Sequence, residues 1–209
     1  MINLTYSFNA ENINSGMVIY NIIKFFRIDN RMETTNINEE YLRSIKVTFK
    51  KYKAIGDKTF EQLGEEDFHF SPDKDSNSIA VVIQHISGNL LSRFTDFLTS
   101  DGEKPSRNRD MEFEEQQLSK VKLIDRWNKA WNVLFGSINN LKTDDLLKTI
   151  LIRNEAHSVI EALNRSLTHT SYHIGQIVYL AKQIKKDSWS TLSIPKGKSE
   201  EFNKNMTSK

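Results

Sequence analysis

The sequence predicts an all-α domain built from four long helices. Apolar residues recur at spacings of three and four over four separate stretches, which is the pattern of helices with one buried face. The 209 residues include only three prolines and eight glycines, which favours long uninterrupted helices over a turn-rich β fold. A chain of this length can bury a substantial hydrophobic core within one domain.

The four helices are predicted from their apolar stripes and from their start signals. They are expected at about residues 38–63, 76–98, 114–141 and 158–185. Trp127 and Trp131 lie one turn apart and are expected to anchor the third helix in the core. Ser158 and Glu161 form a capping box that sets the start of the fourth helix. The β-branched run at 149–153 predicts a short extended piece or hairpin before it.

The two ends of the chain are expected to lie outside the helical domain. Residues 1–38 have poor periodicity and are predicted to be an irregular N-terminal extension, because the sequence from Met32 looks like a natural chain start. A short helix packed on the domain and a mobile tail are the alternatives. The helical domain is predicted over residues 39–204. It would include an irregular C-terminal tail, in which Trp189 can fold back over the helices, and residues 205–209 would be frayed.

Composition narrows the classes of function. The absence of cysteine leaves His, Asp and Glu as the metal-binding side chains and is compatible with a reducing cytoplasm. A net charge of +2 without a long basic run does not indicate nucleic-acid binding. The best candidate for a membrane span, residues 17–26, is shorter than the roughly 20 residues required, and the N-terminus lacks signal-peptide features. The sequence therefore predicts a cytoplasmic protein without nucleic-acid or membrane partners.

Three histidines on two predicted helices suggest a metal site. His169 and His173 are separated by one helical turn and therefore share a face of the fourth helix. His85 lies in the second helix, away from the aliphatic row that contains Ile83 and Leu90. Three imidazoles from two helices would form a site with open positions, the pattern of catalytic metal centres. The H-T-S-Y-H motif lacks the glutamate of zinc proteases.

Other polar residues are candidates for the surroundings of this site. Asn89, Gln176, Glu155 and His157 could line it, whereas His69 is expected to have a structural role. The long loop at 99–113 contains Arg107 and Arg109, which could bind a carboxylate of a substrate. A solvated charged loop is the alternative interpretation of that segment.

At this point the sequence resembles the DinB/YfiT-like superfamily of metal-binding four-helix bundles, and within it an uncharacterised bacterial subgroup. The resemblance covers about residues 39–204 and is based on residues 77–105, on I-R-N-E-A-H-S-V-I-E-A-L-N-R, on H-T-S-Y-H-I-G-Q-I-V-Y-L-A-K and on the tail at 192–199. It implies that His85, His169 and His173 bind a divalent ion, which is zinc, nickel or iron in such proteins. Asn154 departs from the pattern, which has glycine there. The resemblance also implies that a homodimer is common.

Three functions remain open at this stage. The first is a metal-dependent enzyme, a thiol-dependent S-transferase or a hydrolase, acting on a small molecule such as a low-molecular-weight thiol. The second is a non-enzymatic, stress-associated binding protein that uses the metal structurally. The third is a helical protein without metal, in which the histidines are buried and hydrogen-bonded.

Overall fold

The structure is a computed structural model and describes residues 36–207. Its α-helices are α1 (Ile37–Phe60), α2 (Ile79–Phe94), α3 (Lys120–Asn140), α4 (Val159–Lys185) and α5 (Ser199–Thr207). Its strands are β1 (Thr149–Ile152) and β2 (Glu155–Ser158). The described chain is thus predominantly helical, as the sequence predicts. The predicted extension at 1–38 lies almost entirely outside the described residues.

Serine side chains set the starts of three of the long helices. Ser78 accepts a hydrogen bond from the backbone of α2, two residues after the predicted start at 76, and Ser119 does the same for α3. Ser158 and Glu161 form the predicted capping box at the start of α4. The prediction that the third helix begins near Glu114 is wrong. Gln117 has a φ of 49°, in the left-handed region, so a helix cannot continue through this segment.

Two helices end earlier than the sequence predicts. α1 stops at Phe60, and the chain turns before Gly64 donates its backbone N–H to Asp67. α2 stops at Phe94 instead of Leu98, because Asp96 takes a φ of 49°. Asp96 and Gln117 are left-handed residues that are not glycines, and the hydrophobic pattern gives no signal for them.

The four long helices share one hydrophobic core. Trp127 and Trp131 are fully buried, as predicted, and their rings contact each other edge to face. Gly56 allows α1 to approach closely, since a Cβ atom there would lie 2.7 Å from a ring carbon of Trp127. The indole N–H of Trp127 donates to Asp57, so its polar group is satisfied. α2 packs against both α3 and α4 and thereby positions the site described below.

The predicted hairpin is present between α3 and α4. β1 and β2 pair antiparallel, and the turn between them consists of Arg153 and Asn154, with φ values of 57° and 61°. Two consecutive left-handed residues form the turn type that suits the twist of a two-residue hairpin. Asparagine tolerates this conformation, which accounts for Asn154 where a glycine was expected. The carboxylate of Asp101 accepts the backbone N–H groups of both turn residues.

The segment after α4 is more ordered than predicted. Lys186 ends α4 with a φ of 48°, and Trp189 then packs against the core, as expected. Residues 199–207 form α5, where the sequence predicts an irregular tail. The predicted fraying of residues 205–209 stays a prediction. Among the helices of the described residues, none is sufficiently long and apolar to cross a membrane.

Candidate metal centre

His85, His169 and His173 lie together between α2 and α4. Each offers one ring nitrogen, and these three atoms lie within 4.8 Å of one another. The Nε2 atoms of His85 and His169 are 3.0 Å apart. The buried face of α4 is formed by Ser166, Thr170, Ile174 and Ile177, and the two histidines of α4 lie at its edge, half-buried. His85 is almost fully buried in α2.

A buried carboxylate holds the other nitrogen of His85. The Nδ1–H of His85 donates to Oε2 of Glu112 at 3.0 Å, and both side chains are only 4% exposed. Glu112 belongs to the short helical turn Asp110–Phe113, and the Phe113 ring lies 4.6 Å from the imidazole of His85. Such a carboxylate fixes the ring orientation and leaves Nε2 unprotonated for a metal.

Arg107 and Gly88 hold Glu112 in this position. Arg107 donates to both oxygens of Glu112, from Nε at 2.8 Å and from Nη2 at 2.9 Å. A Cβ atom on Gly88 would lie 2.1 Å from Oε1 of Glu112, so only glycine leaves room for the carboxylate. Burial acts to raise the pKa of Glu112, but the hydrogen bonds from Arg107 and His85 outweigh it and keep the pKa below its ordinary value.

The two histidines of α4 are held as neutral imidazoles. The Nδ1–H of His173 donates to Oε1 of Gln176 at 2.8 Å, which leaves Nε2 free. Burial, followed by the neighbouring His173 and His85, lowers the pKa of His169 to about 3. Burial also lowers the pKa of His173, against a smaller opposing effect of Gln176. The neutral imidazole is the form that binds a metal ion.

The donor set fits a divalent transition metal. Zinc–nitrogen bonds of about 2.0–2.1 Å place neighbouring tetrahedral ligands about 3.3 Å apart, close to the 3.0 Å between the Nε2 atoms of His85 and His169. Two unprotonated nitrogens at this distance repel each other unless a cation or a proton lies between them. Imidazole ligands suit zinc, nickel and iron alike, so the cluster does not select one of them.

A cleft of about 190 Å³ opens beside the cluster. Of the residues predicted to surround the site, Asn89, Arg107 and Arg109 line this cleft. Gln176 contacts His173 at the other side of the cluster. Other lining residues are Arg93, Ile152, Arg153, Ala162, Arg165 and Ser166.

The remaining candidates lie elsewhere. Glu155 and His157 are in β2, and neither belongs to the metal-binding cluster found among the described residues. The side chain of Glu155 is 74% exposed. His69 has the structural surroundings expected of it, with one ring nitrogen 2.9 Å from Glu115 and the other 3.0 Å from the carbonyl oxygen of Leu118.

Several residues of the site were not predicted from the sequence. Glu112 lies in the same loop as the predicted arginines, but a loop has no periodicity that would pair it with His85. Arg165 and Ser166 precede His169 by one helical turn, so the helical repeat could have pointed to them. Arg93 and Arg153 come from α2 and from the hairpin turn, and only the folded chain brings them together.

The fold and the site together define a class: a predominantly helical protein with a three-histidine cluster that could hold a metal ion. The chain belongs to the family described as "Protein of unknown function (DUF1572)", which matches residues 36–198. A comparison with curated proteins gave no match.

Proposed function

We propose that this chain is a four-helix bundle of the DinB/YfiT type that binds a divalent metal ion and acts as a metal-dependent enzyme. His85, His169 and His173 would hold the ion. The observation that carries the proposal is the convergence of three imidazoles beside an open cleft. The reaction would be a thiol-dependent S-transfer or a hydrolysis on a small molecule.

The composition of the cluster favours a catalytic over a structural metal. Structural zinc sites normally have four protein ligands, whereas catalytic sites have three and leave one position open. Within residues 36–207, no fourth His, Asp or Glu joins the three histidines. The Gln176 carbonyl is already used by His173. Asn89 lies in the cleft wall, where its amide can contact a substrate.

The protein groups around the cluster would orient the ligands and the substrate. A bound divalent ion supplies a Lewis acid, which brings the pKa of a water or thiol ligand toward neutrality. Glu112 would hold the His85 ring in one tautomer and orientation, and Gln176 would do so for His173. The cleft of about 190 Å³ would admit a small molecule and exclude a folded partner.

The metal site is tested by elemental analysis of the full-length protein and of His169→Ala. We expect about one divalent ion per wild-type chain and at least a tenfold loss in His169→Ala, because two imidazoles bind far more weakly than three. A chelator should lower the melting temperature of the wild type and leave that of the variant unchanged.

His157→Ala is the matched control, since this histidine is also half-buried but lies outside the cluster. It should retain wild-type metal content. Equal metal content in His169→Ala and wild type would refute the three-histidine site.

A further inference from the structure

The cleft beside the histidine cluster has a strongly positive wall. Five arginines line it: Arg93, Arg107, Arg109, Arg153 and Arg165. Two carboxylates compensate part of this charge. Glu103 pairs with Arg93 at 3.1 Å and with Arg153 at 3.0 Å, and Glu112 pairs with Arg107. The cleft therefore has more guanidinium groups than carboxylates.

Two of the five arginines have no carboxylate partner within residues 36–207. Arg165 is exposed on α4, one turn before His169. Arg109 is also exposed, and its guanidinium carbon lies 5.1 Å from the centre of the Phe113 ring, a cation–π contact that leaves its N–H groups free to donate. Both guanidinium groups can therefore bind an anion in the cleft without losing an ion pair.

Three buried polar atoms in the lining residues lack a hydrogen-bond partner. They are Nη1 of Arg107, Oγ of Ser166 and Nδ1 of His169. The Arg107 side chain is only 4% exposed, and Nη1 lies 3.5 Å from the nearest carboxylate oxygen, in Glu103. Buried polar groups without partners are rare in folded proteins and require an explanation.

The chemistry of these atoms identifies what would satisfy them. Arg107 can only donate, and the Ser166 hydroxyl donates readily. Nδ1 of His169 is a donor in one tautomer and an acceptor in the other, so it does not decide the ligand. Two donors without hydrogen-bond partners, beside two guanidinium groups without carboxylate partners, favour a ligand that is rich in acceptors and negatively charged.

We propose that the cleft binds an anionic group of the substrate, a carboxylate or a phosphate, directly beside the histidine cluster. Arg165, Arg109 and Nη1 of Arg107 bind its charge, and Ser166 donates to one of its oxygens. The inference rests on the proposed function in one respect, since it assigns the anion to the substrate of that site. The role of Arg107 is smaller than the sequence predicts. Its Nε and Nη2 groups already donate to Glu112, so only Nη1 is available to the anion.

Isothermal titration of the chelator-treated, full-length protein tests this site without a contribution from metal coordination. The probes are inorganic phosphate, malonate and, as a weak monoanion, acetate, at constant ionic strength. We expect phosphate or malonate to bind more tightly than acetate, and the tighter of the two identifies a phosphate or a carboxylate site. Arg165→Ala should weaken that binding about tenfold, as expected for loss of one charge-assisted hydrogen bond.

Lys129→Ala is the matched control. It removes the same charge from an exposed mid-helix position in α3, so it should change the affinity less than twofold. Ser166→Ala should weaken binding while the net charge stays constant. Binding of neither dianion, or equal affinity in Arg165→Ala and wild type, overturns the proposal.

Metal content, measured on the same preparations before chelation, separates the two proposals. Arg165→Ala should retain the metal content of the wild type. If the wild type holds metal but binds no anion, the anion site is wrong and the metal site stands. If it binds the anion but holds no metal, the proposed function is wrong and the anion site stands.

Discussion

Gly88→Ala tests how the carboxylate of Glu112 supports the histidine cluster. The added Cβ would lie 2.1 Å from Oε1, 2.6 Å from Cδ and 3.1 Å from Cγ of Glu112. These contacts are with a flexible side chain, so the backbone need not move. Glu112 must instead leave its position, and it then loses at least two of its three bonds from Arg107 and His85.

The energetic effect can be worked from these bonds. Glu112 accepts three hydrogen bonds, at 2.8, 2.9 and 3.0 Å, and each bond to a charged group contributes about 1.5–3 kcal/mol. Displacement that breaks two of them costs about 3–6 kcal/mol. Alanine recovers about 1 kcal/mol through its higher helix propensity. We therefore expect a net destabilisation of about 2–5 kcal/mol, and metal affinity lowered about 10–100-fold because His85 loses its orienting partner.

Urea unfolding followed by tryptophan fluorescence measures the free energy, since Trp127 and Trp131 are fully buried. Competition with a chromophoric chelator measures metal affinity. Gly136→Ala in α3 and Gly175→Ala in α4 are controls, because a Cβ at either position meets no heavy atom within 4 Å. The free energy of unfolding of both controls should rise by up to about 1 kcal/mol, and their metal affinity should equal that of the wild type.

Glu112→Gln separates loss of charge from steric displacement, because it keeps the shape of the side chain at position 112. It should also lower metal affinity, although it introduces no steric clash at position 88. A Gly88→Ala variant that is stabilised like the control variants and binds metal with wild-type affinity would show that Glu112 does not support the cluster in this way.

Two further predictions concern stability. Hydrogen bonds from the backbone N–H of Glu103, and next from that of Asn154, lower the pKa of Asp101. Ionised Asp101 therefore stabilises the fold above its ordinary pKa of 3.8, and this stabilisation is lost as the pH falls through the lower folded-state pKa. Asp101→Asn should lose about 1 kcal/mol in urea unfolding at neutral pH, and the difference from wild type should shrink below about pH 4; a constant difference would contradict this. Thr170 is fully buried, and its hydroxyl has no hydrogen-bond partner. The free energy of unfolding of Thr170→Val should therefore be about 1 kcal/mol higher than that of the wild type, and a lower value would show that the hydroxyl does form a hydrogen bond.

The helices could be predicted from the sequence because each repeats one simple pattern. The capping box at Ser158 and Glu161 and the buried tryptophans of α3 are local or periodic signals, and the structure has both. Helix ends were predicted less well. They depend on single residues with positive φ, such as Asp96 and Gln117, which the spacing of the apolar residues does not reveal.

The histidines of the site could be predicted because helical spacing brings His169 and His173 together and the off-stripe position singles out His85. The residues that support them could not. Glu112 reaches His85 from a loop across 27 positions of the sequence, and the room it occupies exists only because Gly88 lacks a side chain. Such a pair follows from the path of the loop, which no local pattern specifies.

The distribution of charge explains why the loop at 99–113 is part of the site. Five arginines surround one cleft, so without carboxylates this region would carry a large positive charge. Arg107 and Arg109 come from the loop itself, whereas Arg93, Arg153 and Arg165 come from the helices and the hairpin turn. Glu103 and Glu112 supply the compensating charge, and both come from the loop. Each is shared: Glu103 forms ion pairs with Arg93, Arg153 and, at 3.5 Å, Arg107, and Glu112 is shared between Arg107 and His85. Movement of the loop would therefore remove Glu103 from Arg93 and Arg153 and Glu112 from His85 together.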